Sequence, residues 1–290
     1  MWSSVAPSGS RLAALVLAGI LAGSIIAVPA LAKDLIFKVA SIGSLSLDGL
    51  VEELKDVRVV VVGEQHDNRL HHEIQLSIIS RLHESDRKLA VGFEMFGANS
   101  QRELDLWVAG KMTEDDFFKV YLRNWDLNWY PLYRDIFVYC REHGIPMVGL
   151  NVPREVVRQV AQKGFSSLSR KQREKLGFLS CDVDERYQRT LAQVLGAKGH
   201  AGGTVFGRFC EAQVVWDTSM ALRVIEYGRE NPDTAMVVLA GTIHAWKRGI
   251  VEQISRRADL ASRVILPSSD SSFFDYEIAL DDADYVWWLE

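Results

Sequence analysis

Cysteine is scarce in this 290-residue chain: Cys140, Cys181 and Cys210 form an odd set with no CxxC pair, so they supply no short dithiol or metal motif. Cys140 follows IFVY and Cys210 lies in an apolar-rich segment. Three buried thiols, or one disulfide and one free thiol, are therefore both open readings. HExxH is absent as well, so no distinctive short spacing encodes a metal. No linker rich in Pro, Gly or Ser, no charged low-complexity run and no internal repeat divides the chain, which points to a single domain over residues 33–290. There is no excess of positive charge either. Lys and Arg number 33 against 38 Asp and Glu, for a net charge of -5, and the bases are scattered among acids. Nucleic acid is thus not an expected partner.

What is present first is a leader signature. Arg11 precedes the small and apolar run LAALVLAGILAGSIIAVPALA, and Ala30 and Ala32 place an A-x-A pattern just before Lys33. Residues 1–32 read as a secretory signal, cleaved to leave a periplasmic or secreted product. Retained, the run would anchor the chain in a membrane, being close to the lower limit of about 17 residues for a spanning helix. No cysteine lies near Lys33, so a lipid anchor on a new N-terminal cysteine has no acceptor.

Downstream, strand and helix signals alternate. DVRVVVVG is continuous and β-branched, as expected of a strand covered on both faces. After the GEQHDN turn, His71, Ile74, Ile78 and Leu82 form a helical stripe with Ile79 beside it. KLAVGFE is a second strand closing at Glu94, followed by a GANS cap and the helix QRELDLWVAG. Two further helices are separated near NWDLNWYP, where Pro131 suits a helix start. IPMVGLNV and PREVVRQVAQKG repeat the strand–helix unit, and small outer helices and the Gly-rich KGHAGGTV come next. A long helix begins near Phe206 or Arg208, and TAMVVLAG is the fourth clear strand. HAWKRGIVEQISRRA is helical, SRVILP a short strand, and YEIALDDADYVWWLE an edge strand or a covering arm. The pattern defines an α/β fold with a largely parallel or mixed central sheet and helices on both faces. Strand order is not readable.

Three polar residues follow apolar runs where strands end: His66, Glu94 and His244. If those strands are parallel neighbours, their ends share one crevice, suited to a metal or acid–base site. Gly63 permits a close or left-handed turn there, and Glu64, His66 and Asp67 crowd polar groups into the loop. Glu64 and Asp67 serve equally well as helix N-terminal charges or caps. His71 and His72 read either as packed, hydrogen-bonded helix residues or as imidazoles reaching the crevice. Glu94 needs a metal, a hydrogen-bond donor or a cation such as Arg102 or Arg123. Gln213 and Asp217, four residues apart, share one helix face and either overhang the crevice or clamp the GEQH backbone. Arg208, a little over a turn earlier, suits an anionic contact. Tyr121, Trp125, Trp129, Tyr130, Tyr133, Phe137 and Tyr139 cluster in one short region. Helix packing explains such a cluster; so does a planar apolar ligand, with a tyrosine phenolate on ferric haem iron. Spacing does not select which tyrosine.

GEQHDN with HHEIQ at 63–75, GFE at 92–94, IPMVGLNVPRE at 145–155, AQVVWDTSMA at 212–221 and GTIH at 241–244 together resemble the ChaN-like branch of the haem-binding uptake and Tiki superfamily. The likeness runs roughly from Val57 to Pro267 and implies an EreA/ChaN-like fold. ChaN-like members imply haem binding and iron uptake at the envelope, and some are lipoproteins; the missing lipobox here departs from that pattern. On this reading the ligand is haem or another planar small molecule, with Tyr130, Tyr133, His71, His72, Arg208 and Gln213 as binding residues. Outer-membrane uptake machinery and a second copy of the chain are the partners. Tiki proteases and macrolide-inactivating relatives imply a metal-dependent hydrolase instead. His66, Glu94 and His244 would then hold a divalent metal ion, with Glu64 or Asp217 as base. A third reading is a non-catalytic envelope scaffold. Envelope haem binding for haem or iron uptake is the leading expectation.

Overall fold

The computed structural model describes residues 35–41, 43–182, 185–194, 203–269 and 281–289. The leader reading of residues 1–32 and most of KGHAGGTV lie outside them. Strands β1 (Leu35–Lys38) and β2 (Ser44–Leu45) precede α1 (Leu47–Leu54), and β3 (Val59–Glu64) feeds α2 (Arg69–Glu84). Strand β4 (Leu89–Gly97) is followed by α3 (Gln101–Val108), α4 (Glu114–Asn124) and α5 (Tyr130–Glu142). After β5 (Met147–Asn151) come α6 (Arg154–Lys163), α7 (Arg170–Leu176), α8 (Glu185–Val194) and the long α9 (Thr204–Glu230). Then follow β6 (Ala235–Gly241), α10 (Thr242–Ala245), α11 (Glu252–Ser255), β7 (Ser262–Ser269) and β8 (Tyr285–Leu289).

All eight strands join one mixed sheet in the order β2-β1-β8-β7-β3-β6-β4-β5. From β8 to β5 neighbours are parallel, whereas β1 runs antiparallel to β8 and β2 antiparallel to β1. The β-branched run is explained by β3, which sits between β7 and β6. Val60 and Val62 enter one core while Val59 and Val61 enter the other. Each buried valine contributes roughly 1.5–3 kcal/mol, so neither face tolerates a polar residue. In α2, Ile74, Ile78, Ile79 and Leu82 are buried, and the Asn68 side chain caps the helix by accepting from the Leu70 N–H at 3.0 Å. The cap thus belongs to Asn68 rather than to Glu64 or Asp67. Gly63 is favoured by close approach and not by a left-handed turn: a Cβ there would lie 2.7 Å from Leu266 Cδ2 and 3.2 Å from Ala245 Cβ.

Three expectations need correction. Residues 285–289 of the C-terminal segment form neither an edge strand nor a covering arm, because β8 lies inside the sheet between β1 and β7. Its alternate residues Tyr285, Trp287 and Leu289 are buried, and the unanticipated β1 gives it a second partner. Helix α9 begins at Thr204, ahead of Phe206, since a helix accommodates Gly207 at modest cost. Strand β4 continues to Gly97, yet its pairing with β6 stops at Phe93 and its pairing with β5 shifts register between Phe93 and Gly97. Glu94 therefore stands where the regular ladder ends.

Of the two cysteine readings, the structure has the disulfide, Cys181–Cys210, and a free, buried Cys140. Burial pushes the Cys140 thiol up, so it stays protonated and inert. The bridge closes a loop with a sequence separation of 29. Replacing both cysteines by serine is expected to lower unfolding free energy by about 3 kcal/mol, measured by urea denaturation with and without reductant. Equal stability of the parent in both conditions would contradict it.

Candidate functional site

Strands β3, β6 and β4 are adjacent and parallel, so their C-terminal ends open on one edge, and Glu64 of β3 stands opposite Gly241 of β6. Glu64 is 2% exposed and is the hub of the first half of the site. His66 Nδ1 lies 2.7 Å from Glu64 Oε1, the Tyr133 hydroxyl donates to the same oxygen, and His72 Nδ1 is 3.0 Å from Oε2. His72 Nε2 lies 3.1 Å from the His66 carbonyl, which fixes the loop against α2. His71 also serves the loop, its Nδ1 accepting from the Gln65 N–H at 2.9 Å. The packed-helix reading of His71 and His72 is thus where the structure places both rings, with His72 additionally on Glu64.

Charge follows this geometry. Burial works against ionised Glu64, but hydrogen bonds from His66 and His72 and their positive charges outweigh it and hold the carboxyl well below its usual range. His66 shows the same balance from the other side: burial disfavours its cation, yet Glu64 and Glu94 raise it to about 9. Burial dominates at His71 and lowers it to about 4, in keeping with a neutral ring that accepts a backbone hydrogen bond. Burial also drives the Tyr133 phenol far up, with Glu64 adding to the effect.

The second half is built on Glu94 and His244. Glu94 Oε2 accepts from the Gly241 N–H at 2.6 Å, and His244 Nε2 stands 3.7 Å from Oε1. His244 Nδ1 lies 2.6 Å from Asp217 Oδ1 of α9. Burial raises Asp217, aided by Glu94; at His244 burial is overcome by Asp217 and Glu94, so its affinity for the proton also rises. The halves meet at Gly241, where a Cβ would lie 3.1 Å from His66 Cε1 and 3.6 Å from Glu94 Oε2. His66, Glu94 and His244 therefore converge as the strand-end pattern requires. Arg123 pairs with Glu103 instead of Glu94.

Aromatic rings wall the mouth. His66, with 27% of its side chain exposed, contacts Trp125 and Trp129 at centroid distances of 5.1 and 5.0 Å, and Trp216 lies 4.7 Å from His244. Leu122 and Leu127, on the segment that carries the first two indoles, remain exposed. Tyr130 is buried, with its hydroxyl 3.5 Å from Glu114; burial and Glu114 push its phenol up to about 12. Gln213 is buried one turn before Asp217, and Arg208 is exposed, lining a separate hollow with Lys163 and Glu211. Among the described residues, Trp125 Nε1, Asn151 Oδ1, Gln213 Oε1 and Trp216 Nε1 are buried without a hydrogen-bond partner. Orphans of this kind beside one crevice mark groups that a ligand would satisfy. Among the described residues no three His, Cys, Asp or Glu side chains are placed to hold a metal ion.

Sequence reasoning missed Asn151, Thr242 and Trp216. Asn151 Nδ2 donates to the Glu94 carbonyl at 2.7 Å, and Thr242 Oγ1 donates to the Glu64 carbonyl at 3.0 Å. The strand-end rule that selected Glu94 would also have found Asn151, the last residue of β5.

Fold and site define an α/β domain whose two imidazoles, each tied by Nδ1 to a carboxylate, flank a strand-end glutamate beside an indole-lined mouth. The chain belongs to the haem-binding uptake, Tiki superfamily, ChaN family, whose model matches residues 50–254. It is similar to ChaN of Campylobacter jejuni, a structure described for its cofacial haem binding. Identity there is 19% and the TM-score 0.70, covering 88% of this chain and 96% of that one. An erythromycin esterase in its open conformation is 17% identical with a TM-score of 0.47, over 78% of this chain and 74% of that one. RETICULATA-RELATED 5, a chloroplastic protein of Arabidopsis thaliana, is 26% identical over 255 residues, 82% of this chain. The match takes in 35% of that protein, so the chain spans about a third of its length. No helix among the described residues is long and apolar enough to cross a membrane.

Proposed function

We propose that the chain binds haem at the mouth of the strand-end crevice and serves haem or iron handling in the cell envelope, alongside uptake machinery of the outer membrane. The observation that carries this reading is His66, partly exposed between Trp125 and Trp129, with no hydrogen bond at Nε2 among the described residues. Flat indoles and exposed leucines suit a macrocycle, and the imidazole suits iron once it gives up the proton that Glu64 and Glu94 help it hold up to about 9, so ligation competes with protonation. Haem would supply a redox-active, Lewis-acidic iron; the chain's part is to hold the ring and orient the ligand. Glu64 does the latter by fixing His66 through Nδ1, leaving Nε2 on the Gly241 side of the crevice. Tyr133 belongs to the support of Glu64, and the high phenols of Tyr130 and Tyr133 oppose a phenolate ligand. The envelope location rests on the family and on the leader-like residues 1–32.

Titration with haem should give a saturable Soret band. W125A/W129A should weaken binding by at least about tenfold, or ~1.4 kcal/mol, and His66→Ala should shift the band itself. No spectral change on adding haem to the parent chain would sink the assignment.

One observation favours a second reading, metal-dependent ester or peptide hydrolysis. Both His66 and His244 are oriented by carboxylates, the arrangement that prepares an imidazole as a metal ligand. In that case Glu64 and Asp217 act by positioning His66 and His244 around Glu94. Metal analysis of untreated protein with an ester and peptide screen tests it, and metal-free, inactive protein counts against it.

A further inference from the structure

We propose that a second site, where α7, α9 and α11 meet, binds an amphipathic carboxylate of the medium-chain fatty-acid class. The helices border an open hollow of about 890 Å3, within the roughly 300–1,000 Å3 of small-molecule sites. Helix α9 passes into β6 through a short turn, so its C-terminal part lies at the opposite end of the strands from the crevice. Ile225 is eight residues beyond Asp217, about 12 Å along the helix.

The hollow has an apolar floor and an excess of positive charge. Leu176 and Ile225 are 5% and 3% exposed, Leu222 is half-buried, and Phe178 lines the hollow while remaining 78% exposed. Lys175 and Arg229 have no acidic or hydrogen-bonding partner among the described residues. Arg257 donates only to neutral acceptors: the Phe178 carbonyl at 2.8 Å, the Gln253 side-chain oxygen at 2.8 Å, and more distantly the Gln253 and Leu176 carbonyls. Burial and the neighbouring Arg256 lower its affinity for the proton, as expected where cations crowd without an anion.

Arg256 and Glu226 are occupied by Glu252 and Arg223. Glu230 alone opposes the three cations. An apolar floor with a cationic rim disfavours both a bare inorganic anion and a neutral lipid. It suits a carboxylate on an aliphatic body.

Calorimetric titration of the full chain with dodecanoate, dodecyltrimethylammonium and acetate, all as monomers, tests the site. Dodecanoate should bind saturably, and the cation and acetate at least about tenfold more weakly. K175E/R229E should weaken dodecanoate by about tenfold or more, with an unchanged Tm and an unchanged haem titration. K175Q/R229Q should move it less in the same direction. Absence of dodecanoate binding, equal binding of the cation, or parent-like affinity in both variants would overturn the proposal.

Discussion

Replacing Glu64 by alanine is expected to cost about 3–5 kcal/mol of stability, the range for breaking a buried charge cluster by removing one partner. The carboxylate serves His66, His72 and Tyr133 at once, and none has an alternative anion within reach of the same atoms. Alanine leaves a buried hydroxyl without its acceptor and two imidazoles without the charge that raises them. Glutamine keeps an acceptor but loses the charge, so Glu64→Gln should cost less, about 1–3 kcal/mol. In that variant the His66 midpoint should fall from about 9 towards its ordinary value. Urea unfolding at pH 7 gives the first quantity and an NMR titration of the imidazole the second. An alanine variant within about 0.5 kcal/mol of the parent would show that the cluster contributes nothing net.

Stability should peak near pH 6.5 and fall on both sides, because two neighbouring histidines are shifted in opposite directions. His66 holds its proton up to about 9 when folded and to about 6.5 when unfolded. Its contribution is complete below the unfolded value and is lost as pH rises through the folded one. His72 and His244 are raised too and steepen this alkaline limb. His71 gives the acid limb: folded, it stays neutral down to about 4, so protonation of the unfolded chain below about 6.5 draws the equilibrium towards unfolding. Depressed Glu64 extends the loss below its ordinary carboxylate value, while raised Asp217 opposes the acid limb above its own ordinary value, where the folded chain takes up the proton first. His66 alone amounts to about 3 kcal/mol over its window. Urea midpoints from pH 4 to 9 should show the peak. His66→Gln should flatten the alkaline side and His71→Gln the acid side; a monotonic profile would refute the assignment.

Much of this was legible in the chain because strand ends obey a simple rule. A continuous β-branched run such as Val59–Val62 demands cover on both faces, and the polar residue that ends it has to face the open edge. The same logic placed Glu94 and His244, and the ordered motifs gave the family. Partnerships were less visible. That His244 meets Asp217 depends on how α9 lies across β6, and that Tyr133 turns to Glu64 depends on the packing of α5 on α2. Neither leaves a periodicity. Strand β1 escaped notice because LIFK is only four residues long, and without it β8 looked peripheral.

The position of β8 has a consequence for biosynthesis. Residues 285–289 are the bridge between β7 and β1, so the β1–β2 hairpin waits for β8 before it joins the rest of the sheet. The three strands whose ends open on the crevice, β3, β4 and β6, need no such delay. A nascent chain can therefore shape its strand-end crevice while the β1–β2 hairpin is still unclaimed, and synthesis of β8 becomes the event that joins the hairpin to the sheet.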